Sequence, residues 1–302
     1  MLANNNKMII NKLAKNSVKS NKKQYGILFF TIVLSAFMLF CVFTIGWTYL
    51  DSSRLQNTRL NGAEYDITTM NGFTSKQVKS LQSNKNIQNV GMESYAGFIK
   101  SSEFDNTVEI GLLWCDETFW NNLMSPARTK LDGHYPQNKN ELMVTKDILK
   151  ACGNENLSVG DSIVLTYENN TGVHTDKFVI SGIWDGYGDK SAGFVSKNFY
   201  DETGYDLKND GILCIKLNRN YVLPTTIQSL EKSLNFSDRQ IFAPTDYIEN
   251  SFKLLLGICG LALVICLSAY LLIYNILYLS ISGKIRYYGL LQSLGMTKKQ
   301  LV

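Results

Sequence analysis

The sequence predicts a membrane protein in which two transmembrane helices flank an α+β extracytoplasmic domain. That domain combines a split β-α-β lobe with a small β-rich lobe. Three observations carry the prediction. Two long uncharged apolar runs stand toward the ends of the 302-residue chain. All 26 acidic residues lie between them. The stretch they enclose alternates strand-like and helix-like patterns, separated by turn signals.

The chain opens on six lysines (7, 12, 15, 19, 22 and 23) and no acid. Residues 1–25 read as a cytoplasmic basic amphipathic segment, with Ile10, Leu13, Ala14, Ser17 and Val18 on one face. Such a helix suits an anionic lipid surface. A solvated leader that only sets topology fits the same residues equally well.

The first span is residues 26–50, "GILFFTIVLSAFMLFCVFTIGWTYL". At about 1.5 Å per residue it reaches across the ~30 Å hydrocarbon core. Tyr25, Trp47 and Tyr49 sit where interfacial aromatics belong. It is too long for the apolar stretch of a cleaved signal peptide, and no small-x-small site follows in "TYLDSSRL", so it reads as a retained anchor.

Residues 51–251 form the predicted extracytoplasmic domain. The first helix continues to a stop at Asn61-Gly62. "EYDITTM" alternates like a strand, and "TSKQVKSLQSNKN" reads as a helix capped by Thr74 or Ser75. "IQNVGMESYAGFIK" and "NTVEIGLLWC" are strand-like. "GHYPQNKNELMVTKDILKACG" reads as turn, strand, helix and glycine stop. Residues 157–185 read as a hairpin turning at Asn169–Gly172, before a loop at 186–193. "DGILCIKL", "VLPTTIQSLEKSLN" and "RQIFA" then read as strand, helix and strand. A helix starting at Pro244 and capped by Thr245 runs into the second span.

The second span, residues 252–279, contains the charge-free run Leu254 to Leu279, with Tyr274 and Tyr278 near its end. Gly257, Gly260, Ser268 and Ala269 offer either a close-packing surface or an ordinary lipid-facing one. Four basic residues and no acid follow. The middle section therefore holds 26 acidic against 20 basic residues, a net −6. Basic ends and an acidic middle place both termini in the cytoplasm and residues 51–251 outside, in a multi-pass protein of the plasma membrane. The overall +4 is a sum of opposed parts and does not indicate nucleic acid.

Catalytic constellations are absent from the sequence. His134 and His174 stand alone in polar context, and neither HExxH nor GxSxG occurs. "GYGDKSAG" lacks the Gly-Lys-Ser core of a phosphate loop, since Asp189 stands where glycine should. No metal or cofactor is expected. Cys115, Cys152 and Cys214 allow one outer disulfide or three unpaired thiols.

Residues 280–302 close the chain. Ile285, Tyr288, Leu291 or Gln292, and Leu294 make a helical stripe that Gly289 interrupts and Gly295 ends. Arg286, Tyr288, Gly289-Leu290-Leu291 and Leu294-Gly295-Met296-Thr297 resemble the R-x-x-E-x-G-L-x-R-A-x-G-A/M-T segment of FtsX-like permeases, the MacB-type transmembrane subunits of ABC transporters. "GHYPQNKNELMVTKDILKAC", "LSVGDSIVL" and "FVISGIWD" are similar to that family's extracytoplasmic pattern. Tyrosine at 287 or 288 replaces an acid common in the family. The resemblance implies a non-catalytic permease subunit, with Arg286, Tyr288, Gly289, Leu290, Leu294 and Gly295 docking a separate cytoplasmic ABC ATPase. It further implies a second permease half, as a homodimer or tandem half, and mechanotransmission to the outer domain for export or extraction of a peptide, antibiotic or lipid-linked substrate. Family members carry at least two further spans, so a truncated gene, a fragment or the first part of a longer permease is expected. The alternative reading is a two-span receptor with an extracellular ligand-binding domain; a membrane-anchored hydrolase lacks any nucleophile–base pair.

Overall fold

The computed structural model describes residues 11–12, 15–16, 19–100, 110–187 and 192–293. It divides into two compact units, residues 50–254 and the remainder. Ile10, Leu13, Ala14, Ser17 and Val18 of the basic leader, and residues 106–109 of the expected strand, lie outside the described residues.

Helix α1, Lys22–Asn61, is unbroken over 40 residues. Helix α6, Asp246–Ser282, covers 37. Both are long and apolar enough to cross a membrane. In the span unit they approach at Gly46, where an added Cβ would stand 2.6 Å from Ile258 Cδ1. Gly257 and Gly260, read from sequence as packing candidates, face open space among the described residues. Helix α7, Ile285–Ser293, follows a turn at Gly283–Lys284.

The α+β unit holds ten strands among the described residues. β1 is Ile67–Met70 and β2 Ile87–Lys100. Between them α2, Ser75–Gln82, has a complete capping box: Gln77 N–H donates to Thr74 Oγ1 at 3.3 Å, and Thr74 N–H to Gln77 Oε1 at 2.8 Å. After the intervening lobe come β9, Ile212–Leu217, α5, Pro224–Ser233, and β10, Ile241–Pro244. The order is β10-β1-β9-β2, all neighbours antiparallel. Two split β-α-β units thus interleave: β9 lies between β1 and β2, and β1 between β9 and β10. The apolar positions of this sheet bury Ile67, Val90, Leu213, Ile215 and Leu217 against Leu81 of α2 and Leu230 of α5. Each such side chain contributes about 1.5–3 kcal/mol of transfer free energy.

Pro244 ends β10 instead of starting the next helix, and its missing N–H is tolerated at a strand end. Thr245 precedes the helix, but its buried Oγ1 has no partner among the described residues. The expected cap therefore does not form.

The second lobe is a closed ring. Its strands are β2, β3 (Ile110–Cys115), β5 (Glu141–Thr145), β6 (Ser162–Asn169), β7 (Gly172–Gly186) and β8 (Gly193–Val195). Pairing runs β2-β3-β8-β5-β7-β6 and back to β2. A bulge between Tyr95 and Gly97 breaks the register of β2 just where it leaves β9 for β6. Leu112, Leu142, Val144, Ile163, Leu165, Phe178 and Val195 fill the ring. It is plugged by Ile148 and Leu149 of α3, Lys146–Ala151, and by Phe199 and Tyr200 of α4, Lys197–Tyr200. The β6–β7 hairpin turns as expected, pairing Asn169 with Gly172. β4, Arg128–Gly133, and β8 are strands the sequence did not announce.

Candidate functional site

Three groups of residues are candidates: the helix after the second span, the place where α1 enters the α+β unit, and a polar cluster between the two lobes.

In α7, Arg286, Tyr288, Gly289 and Leu290 share one helix that runs through Gly289 without a break. Arg286 and Gly289 are exposed, and Leu290 is 64 % exposed. Leu294 and Gly295, with Met296 and Thr297, lie outside the described residues.

At the end of α1, four charges from three elements meet. Lys216 Nζ, on β9, stands 3.2 Å from Glu64 Oε1 and 3.4 Å from Asp66 Oδ2. Arg54, on α1, lies 3.7 Å from the same Glu64 oxygen. The Lys216 and Asp66 side chains are only 8 % and 2 % exposed. Asp66 Oδ2 also accepts the Leu217 N–H at 2.8 Å, and Asp66 O accepts the Thr245 N–H at 2.8 Å. Burial raises the Asp66 carboxyl above its ordinary range, although the Lys216 ammonium pulls it back down. The α1 helix end and the residue before α6 are thus tied to one strand pair by charge and hydrogen bonds. The sequence reading missed this cluster, because Lys216 and Asp66 are 150 positions apart and each looks like an ordinary strand residue.

The third cluster covers the other face of the split sheet. A one-turn π-helix, Phe119–Leu123, packs there with Trp184 and Phe194. Asp116 Oδ1 accepts from Met92 N at 2.9 Å and Phe119 N at 2.8 Å. The Tyr135 hydroxyl accepts from Cys115 N at 3.0 Å and reaches the carbonyls of Cys115 and Val195, both at 3.2 Å. Burial pushes the Cys115 and Cys214 thiols well up, so both stay neutral. Among the described residues Cys115 and Cys214 form no disulfide. Cys115 pairs with Glu93 and Cys214 with Gly91 across opposite edges of β2, too far apart for an S–S bond.

His134 is exposed and His174 half-buried; their ring nitrogens meet Tyr135 O at 3.0 Å and Thr171 Oγ1 at 2.8 Å. Among the described residues, His, Cys, Asp and Glu form no group able to hold a metal ion.

No family model matches the chain, and no curated protein matches it in sequence. Among solved structures it is similar to the periplasmic region of MacB from Actinobacillus actinomycetemcomitans. The identity is 15 % and the TM-score 0.41, over 64 % of this chain and 95 % of that one. It is also similar to the extracellular domain of the ABC-type transporter YknZ from Gram-positive bacteria. There the identity is 11 % and the TM-score 0.38, over 59 % of this chain and 98 % of that one.

Proposed function

We propose that this chain is a permease subunit of an ABC transporter complex of the FtsX/MacB type. One observation carries the reading: each charge-free span belongs to a helix that continues into the α+β unit, α1 to Asn61 and α6 from Asp246. The family-like segment from Arg286 onward supports it. In this reading both termini are cytoplasmic and residues 51–251 are extracellular. A separate ATPase docks on α7, a second permease half completes the membrane part, and lipid surrounds the spans. ATP-driven closure displaces α7, and the two long helices carry that displacement outward. Neither helix contains proline, so neither loses a backbone hydrogen bond along its length. The Arg54–Glu64–Lys216–Asp66 cluster gives α1 a fixed purchase on the sheet.

Co-purification with a cognate ABC ATPase tests the docking step. Gly289→Asp with Leu290→Asp is expected to abolish ATPase recovery while leaving the permease folded. Unchanged recovery would remove α7 as the docking element. Protease added to intact cells tests the orientation: cleavage within residues 51–251, with both termini protected, is the expected result.

A further inference from the structure

The end of the split lobe holds a cavity of about 470 Å³, a size suited to a small ligand. Three segments distant in sequence form it: the turn between β1 and α2, the loop before β9, and the connection from α5 to β10. Each contributes one cation, respectively Lys76 at the start of α2, Lys208 and Arg239. Among the described residues no carboxylate lines it, although the section between the spans is net acidic. Among the described residues none of these three cations joins an ion pair, whereas Arg54, Lys100, Lys139, Lys197 and Lys216 all do.

The cavity is built rigidly. Gln77, buried in its floor, donates to Leu234 O at 3.2 Å and shares a hydrogen bond with Gln240, which donates to Gly72 O at 2.7 Å. Asn71 Nδ2 reaches Arg239 O at 2.8 Å. Gly72, at φ +90°, is pressed so close to the Lys208 backbone that a Cβ would sit 1.9 Å from Lys208 O. Asn71 (φ 65°) and Asn235 (φ 46°) are the only non-glycine residues with left-handed backbone among those described, and both line the cavity. Such conformations cost free energy and recur where a ligand is held.

We propose that this cavity binds the phosphoryl group of an anionic ligand. Three unpaired cations around a concave surface match a dianion. Lysine serves as a point charge for phosphate, while arginine adds a fork of donors. Surrounding amides and hydroxyls, such as Asn235, Asn209 and Ser80, supply further neutral contacts without repelling the charge.

The test uses the full chain in phosphatidylcholine nanodiscs and isothermal titration with two probes. One is glucose 6-phosphate, against glucose. The other is dioctanoyl phosphatidic acid, against dioctanoylglycerol. A phosphorylated probe is expected to bind with Kd of about 1 mM or tighter, and its unphosphorylated parent not at all. Lys76→Gln with Arg239→Gln is expected to weaken binding at least about tenfold, with tryptophan emission unchanged. Both positions are exposed, so the variant keeps its core. Binding of the sugar phosphate alone identifies a soluble phosphorylated ligand, and binding of the lipid alone a headgroup. The proposal is overturned if neither phosphorylated probe outbinds its parent, or if the double variant binds undiminished.

Discussion

Replacing Lys216 by methionine keeps most of the side-chain volume and removes the one cation between Asp66 and Glu64. Asp66 is left 2 % exposed with a single hydrogen bond, from Leu217. Glu64, 25 % exposed, keeps water and Arg54. Removing one partner from a buried pair costs about 3–5 kcal/mol, because the remaining charge is stranded away from water. The variant has an escape, since Asp66 can take up a proton. Its carboxyl is already raised by burial, and loss of Lys216 removes the main influence that lowers it. A group whose folded pKa lies above its unfolded value stabilises the fold fully below the unfolded pKa, and that stabilisation is lost as pH rises through the folded pKa. The deficit of Lys216→Met should therefore be largest at pH 7 and shrink toward pH 5, by up to about 1.4 kcal/mol per pH unit. Adding Asp66→Asn should recover most of it. Urea unfolding of the full chain in detergent micelles reads this directly, because Trp114, Trp120 and Trp184 are all buried in the α+β unit. A loss below about 1 kcal/mol at pH 7, or an equal loss at pH 5 and pH 7, would refute the account of this cluster as a desolvated pair.

Gly46→Leu should destabilise the two-span unit by about 1–3 kcal/mol in micelle thermal unfolding, with Gly46→Ala milder, because the added atoms meet Ile258; equal melting of all three proteins would show that the spans do not touch there. Gly72→Ala combines a left-handed backbone with a contact to a main-chain oxygen, so a loss of about 3 kcal/mol or more is expected in the same urea assay, and a neutral result would contradict the turn geometry. Cys115 and Cys214 should resist iodoacetamide in the folded protein and react only in urea, as read by mass spectrometry of tryptic peptides; native labelling of either would mean that the cluster around them is open to water.

Much of the fold was legible because it rests on local physics. A charge-free run of 25 residues is a property of the chain alone, and so is the acid-free lysine cluster before it. The capping box of Thr74 and Gln77 closes over four residues. The β6–β7 hairpin depends on its own turn, and β2 was read to its boundaries from its pattern. The split order of the first lobe followed from counting strands and helices at both ends of the domain. Arg286 and Leu290 came from the resemblance of the closing segment to FtsX-like permeases, and their docking role is a proposal.

What only the tertiary structure decided depends on contacts between distant positions. Closure of the six-stranded ring needs β2 to change partners at a bulge and β6 to return to it from 70 residues away. β4 and the three-residue β8 have too little pattern to announce themselves and exist because β7, β5 and β3 offer them an edge. Pro244 looked like a helix start until β1 paired with it. The buried Lys216–Asp66 pair and the three-cation cavity each join segments more than a hundred positions apart. Charge along a chain shows only which groups must find water or a partner. Which partner each one finds is set by the fold that brings them within a few ångströms.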